Sequence, residues 1–163
     1  MQIRLITTGG TIDKIYFDAL SGFQVGTSDV QQILADALVD FDYDIVSLFQ
    51  KDSLEITHED RQRIRDFIVG DDGSHYIVTH GTDTMADTAE ALKDIKDRTI
   101  VLTGALSPAK FRASDAVFNV GMAVATVQVA KPGVYIAMSG KVFKAGAVRK
   151  NRVENRFETF GQS

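Results

Sequence analysis

The 163-residue chain has no cysteine, which excludes disulfides, thiolate zinc sites and cysteine nucleophiles together. Its three histidines, His58, His75 and His80, are scattered without metal-ligand spacing, so neither a metal site nor a cofactor is expected. Basic residues are not in excess: 18 Lys and Arg stand against 22 Asp and Glu, a formal net charge of −4. That balance argues against a nucleic-acid partner held through phosphates. No apolar run is long enough to span a bilayer; the most apolar one, 116–130, is interrupted by Asn119 and Gln128. The N-terminus, MQIRLITTGG, lacks a signal peptide's apolar stretch and cleavage site, so a cytoplasmic protein with no membrane partner is expected. Repeats, low-complexity tracts and linkers are also missing, as is the G-x-S-x-G elbow of serine hydrolases. At 44% hydrophobic, the chain is expected to form one domain over 1–163 with a real core.

What is present is a regular alternation. Ile3 to Thr7, Tyr43 to Phe49, Tyr76 to Thr79, Thr99 to Thr103 and Val134 to Met138 read as short buried strands. Between them, Ser28 can cap a helix bearing Val30, Ile33, Leu34, Ala37 and Leu38, and Thr57 can start another with Ile64, Phe67 and Ile68 on one stripe. Met85, Ala89 and Leu92 mark a third helix, and Ala113 to Val129 a long, mostly apolar fourth. Strands buried on both faces and separated by helices call for an α/β fold: a doubly wound, flavodoxin- or Rossmann-like parallel sheet with helices on both faces. Five strands favour the order 2-1-3-4-5, whose switch point lies between strands one and three.

The loops beyond those strands therefore carry the weight. TTGGTIDK follows strand one, QKDSLEIT strand two and THGTDTMADT strand three. The spacing of TTGGTID departs from both G-x-G-x-x-G and G-x-x-x-x-G-K-[ST], so a phosphate cradle is disfavoured. In HGTDT, Gly81 permits close approach to the backbone and Asp83 offers a carboxylate to an ammonium group. The same stretch also suits a plain helix start capped by Thr82 or Asp83. His80 reads as a core histidine bonded to backbone rather than a catalytic base. The basic stretch VRKNRVENR reads as a solvated segment or a subunit contact.

TTGGTI, HGTDTM and TGALSP together resemble the N-terminal domain of the bacterial-type L-asparaginases and glutaminase-asparaginases, over Thr7 to about Lys150. The resemblance implies hydrolysis of a side-chain amide of a small amino acid, asparagine or similar, to acid and ammonia. By its motifs the threonine nucleophile is Thr11, with Gly10 beside it. Thr82, Asp83 and Lys150 form a second constellation next to Gly81. Ser53, in an S-x-[DE] loop, binds the substrate carboxylate, and the backbone of Ala105 faces the scissile amide. A homo-oligomer, a dimer or higher, is implied as well. The family's second domain is not part of this reading. Leu54 stands where a polar side chain is often found, and Phe23 stands at the lid position of a catalytic tyrosine; Tyr16, on the same loop, is the candidate replacement hydroxyl.

The chemistry needs these residue types. An amide carbonyl is a poor electrophile, so a nucleophile must be combined with donors aimed at the developing oxyanion, and backbone N–H groups at a helix start near Thr82 would serve. Desolvation of Lys150 would help it accept a proton, whereas Asp83 favours its charged form. A second reading, a small-molecule module that binds an amino acid with little or no turnover, shares the same pocket.

Overall fold

The computed structural model describes residues 1–14 and 28–160. The lid positions Tyr16 and Phe23 lie outside them. Five parallel strands, β1 (Gln2–Gly9), β2 (Asp42–Lys51), β3 (His75–Thr79), β4 (Thr99–Thr103) and β5 (Gly133–Met138), stand in the order β2-β1-β3-β4-β5. This is the expected doubly wound order. A sixth strand, β6 (Lys141–Lys144), extends it antiparallel to β5. The sequence reading stopped at Met138. It missed that Ser139 and Gly140, both at positive φ (51° and 83°), make the two-residue turn that folds the chain back.

Among the described residues four α-helices cover the sheet: α1 (Asp29–Asp36), α2 (His58–Gly70), α3 (Met85–Leu92) and α4 (Ala116–Val129). Their starts are legible in side-chain chemistry. Ser28 Oγ accepts from Val30 N at the start of α1. Thr57 and Asp60 form a reciprocal capping box on α2. α4 begins three residues later than expected, because Asp115 is its N-cap and 108–114 turn more tightly ahead of it.

Strand alternation sorts the core into two layers. On one face Ile6, Tyr76, Val78, Ile100, Leu102 and Ile136 meet Ile64 and Ile68 of α2 and Met85, Ala89 and Leu92 of α3. On the other, Leu5, Ile77 and Val101 meet α1 through Val30 and Leu34, and α4 through Ala116, Val120, Ala123 and Val127. Strands apolar on both faces are what the interior of a parallel sheet requires; β2, expected to be buried, is instead the edge strand and has no buried residue. No helix among the described residues is long and apolar enough to cross a membrane.

VRKNRVENR is largely exposed, as its charge suggested, but it is not a loose tail. It forms most of a hairpin of β7 (Val148–Asn151) and β8 (Arg156–Thr159), a separate two-stranded sheet. Asn151 Oδ1 accepts from the amides of Val153 and Glu154 at 3.1 Å each, and Asn155 sits at φ 49°, which together close the turn. Val148 and Phe157 turn inward, 5% and 6% exposed, and the Phe157 ring lies 6.3 Å from that of Phe143. An isolated hairpin is marginal in water, so this apolar anchor is what holds it to the sheet. Phe157→Ala should therefore lower stability by about 3 kcal/mol, the usual range for emptying a buried ring. Urea unfolding measures it, and a loss below about 1 kcal/mol would mean that the hairpin does not depend on its anchor.

Candidate active site

The site grows out of the carboxyl ends of β1, β3 and β4. Gly10 has φ 90°, outside the comfortable range of other residues, and a Cβ there would stand 2.5 Å from the backbone nitrogen of Gly81. A Cβ on Gly81 would in turn stand 2.6 Å from the Cβ of Ser53. The loops after β1, β2 and β3 therefore meet at one point, and it closes only because two of its three residues lack side chains.

Immediately after Gly10, Thr11 opens a single 3₁₀ turn, Thr11–Asp13, rather than a helix. Gly10 N–H donates to Lys51 O at 3.0 Å, which fixes the turn to the end of β2. Lys14 Nζ pairs with Asp52 Oδ2 at 3.0 Å. Asp52 also accepts from the amide of Leu54 at 3.1 Å, capping the matching 3₁₀ turn Ser53–Glu55. Ser53 is buried and Leu54 is exposed. A cleft of about 630 Å³ opens beside these turns, lined by Gly9, Gly10, Asp13, Lys14, Lys51, Asp52 and Leu54 among others. Thr11, Ser53, Thr82, Asp83 and Lys150 are not part of its lining.

The loop after β3 corrects the plain-cap reading. α3 starts at Met85 with Thr84 as its N-cap, so neither Thr82 nor Asp83 caps it, and Thr82 is not in the helix's first turn. Both are engaged elsewhere. Lys150 Nζ donates to Thr82 Oγ1 at 2.6 Å and to Asp83 Oδ1 at 2.7 Å, across 68 and 67 residues of sequence. The lysine side chain is 8% exposed and the aspartate side chain 36%. Lys150 reaches them from β7, opposite Phe157 in the hairpin register.

Behind this loop lies fully buried His80. Its Nδ1 donates to Gly81 O at 2.7 Å, and its Nε2 lies 2.8 Å from Thr88 Oγ1. Burial pushes its pKa down to about 4. It is the backbone-bonded core histidine that the sequence indicated.

Ala105, 1% exposed, follows β4 in a loop that the sequence reading left unexplained. Asn119 Nδ2 donates to Gly104 O at 2.9 Å, while its Oδ1 accepts from Ser139 N at 2.9 Å. Asp115 accepts from the amides of Leu106 and Ser107. Asn119 had registered only as a break in an apolar run. That break was the available signal, because a polar side chain on a core helix face needs partners.

A family model described as asparaginase, N-terminal, matches residues 2–163. The chain belongs to this family. The L-asparaginase of Bacillus licheniformis is 30% identical over 98% of this chain and 53% of its own length. The glutaminase-asparaginase of Acinetobacter glutaminasificans is 26% identical over 91% of this chain and 49% of its own. Among solved structures, the thermostable L-asparaginase from Thermococcus kodakarensis superimposes with a TM-score of 0.86 at 27% identity, covering 100% of this chain and 52% of that one. This asparaginase-family chain thus spans about half the length of the relatives that it matches.

One carboxyl near the first turn has a measurable consequence. Asp13 accepts from Ser28 Oγ at 3.2 Å, and burial pushes its pKa up from 3.8 to about 6, with Asp29 adding to the rise. A carboxyl raised on folding holds its proton more tightly in the folded state. Its penalty therefore falls on the ionised form: stability is greatest below about pH 4 and declines as the pH climbs to about 6. Asp13→Asn should be more stable than the parent at pH 7.5 by about 1–3 kcal/mol, with the gain vanishing toward pH 4. Superimposable pH dependences of the two proteins in urea titrations would contradict this.

Proposed function

We propose that this protein hydrolyses a side-chain amide of a small amino acid, asparagine or a close analogue, to the acid and ammonia, with Thr11 as nucleophile. The observation that supports this best is the hydrogen-bonded set Thr82–Lys150–Asp83, on the loop whose Gly81 abuts Gly10. Distant segments of sequence converge there on a hydroxyl, an ammonium and a carboxylate, with the Thr11 turn alongside.

Each group has a part in the reaction. The Thr11 hydroxyl adds to the amide carbonyl; the C–N bond then breaks, ammonia leaves with the proton taken from Thr11, and water hydrolyses the resulting ester to free the acid. Backbone N–H groups at the loop junction are the donors for the oxyanion. Ser53 takes the α-carboxylate and Asp83 the α-ammonium of the substrate. Lys150 Nζ donates to Thr82 Oγ1 and to Asp83 Oδ1, so Thr82 accepts from the lysine and its own O–H is free to be directed toward the Thr11 turn. The route for the Thr11 proton runs through this pair.

Thr11→Ala, at a turn position, should leave the fold intact and cut ammonia release by about a thousandfold or more. A folded variant that matches the parent over asparagine, glutamine and other amides would remove Thr11 from the mechanism. Asp83→Asn should weaken aspartate, the expected product, by about ten- to a hundredfold in calorimetric titration, as expected for loss of a charged partner. Unchanged affinity would remove Asp83 from the ammonium site. Aspartate binding with no ammonia released from any amide would favour the binding module instead.

A further inference from the structure

The N-cap of α3 breaks a local rule. Thr84 occupies it, a residue favoured there because its hydroxyl can accept from the first amides of the helix. Here it makes no such bond, whereas Thr57 at the start of α2 makes a full capping box. The Thr84 hydroxyl instead donates to Ser53 O at 2.6 Å, across 31 residues, into the loop after β2.

Ser53 is buried, 3% exposed. Its carbonyl also accepts from Ile56 N, at a long 3.4 Å, and Asp52 caps the turn from outside through Leu54 N. The serine also packs against the bare backbone of Gly81, to which a Cβ could not be added without a clash. Contact with Gly81 sets how close the two loops come, but an apolar touch sets no direction. A hydrogen bond does, since it fixes which way the Ser53 carbonyl, and with it the turn, is rotated.

We infer that Thr84 is a positioning residue, whose hydroxyl clamps the Ser53 turn to the Gly81 loop and thereby orients the carboxylate-binding end of the site. The clamp itself stands on geometry; its effect on ligand rests on the amino-acid reading given above. The helix forgoes a cap so that two substrate-contacting loops move as one body, and local rules are most often broken where function demands it.

Thr84→Val keeps the shape and deletes the donor, and Thr84→Ser keeps the donor. In the full chain, hydrogen exchange of the 52–57 amides should quicken about tenfold in Thr84→Val, the scale of one lost hydrogen bond, and return to the parental rate in Thr84→Ser. Exchange over Met85–Leu92 should not change. Aspartate should bind about tenfold more weakly to the valine variant, or KM for the amide rise with kcat within about twofold, again rescued by serine. Parental exchange over 52–57 in Thr84→Val overturns the clamp, as does quickened exchange confined to α3, the pattern of a lost cap. Failure of the unmodified protein to bind aspartate refutes the amino-acid reading, and the exchange rates then decide on the clamp alone.

Discussion

The close approach of Gly10 to Gly81 is the constraint on which the site depends. Two strand-end loops cannot bring their backbones together if either carries a Cβ at the contact, and the 2.5 Å left at Gly10 has no space for one. Because β1 and β3 are adjacent and in register from Arg4–Tyr76 to Thr7–Thr79, the loops leaving them start side by side. The glycines then let them stay side by side instead of splaying around side chains. Everything placed by this contact lies within a few residues: Thr11 follows Gly10, Thr82 and Asp83 follow Gly81, and Ser53 packs against Gly81 from the third loop.

A second dependence runs through Lys150. A buried ammonium is tolerable only when its donors are matched by acceptors, and Thr82 and Asp83 supply them. Neither the parallel sheet nor its helices could deliver that cation, since the site stands beyond the strand ends and α3 leads away from it. The hairpin β7–β8 does so from outside the main sheet, secured by Val148 and Phe157 against the core layer that contains Phe143. Val148 and Lys150 are two residues apart on β7, and Lys150 pairs with Phe157, so all three share one face of the hairpin; the apolar packing that anchors that face carries the lysine inward with it.

Much of the fold was readable because it rests on local chemistry. Four runs apolar on both faces announce buried parallel strands, and Ser28 and Thr57 announce helix starts that the structure shows capped by those hydroxyls; Tyr43 to Phe49, read the same way, proves to be the half-exposed edge strand β2. What escaped depends on partners far along the chain. Thr82 and Asp83 looked like caps because caps are local; Lys150, which recruits them, is 68 and 67 residues away. VRKNRVENR is largely exposed, as its charges suggest, but its composition does not announce the hairpin that Val148 and the following Phe157 anchor. Asn119 looked like an interruption because its partners, Gly104 O and Ser139 N, belong to two different loops. Motif resemblance named Lys150 where periodicity could not.

His80 shows how such a site is kept in one arrangement. The carbonyl of Gly81 can only accept, so His80 Nδ1 carries the proton, and Nε2 must then accept from the Thr88 hydroxyl. Thr88 Oγ1 accepts in turn from Arg61 Nε at 3.1 Å. The chain of donors therefore runs one way, from an arginine on α2 through α3 and the imidazole to the loop that meets Gly10. Protonating His80 would reverse the Thr88 bond inside a dry core facing Arg61; burial, with Arg61 adding to it, pushes the ring down to about 4 and keeps it neutral. A histidine beside a reaction centre is ordinarily a candidate for proton transfer. Here both ring nitrogens are committed to holding Gly81 in place, so on the proposed function the acid–base work falls to the groups in front of that backbone rather than to the one behind it.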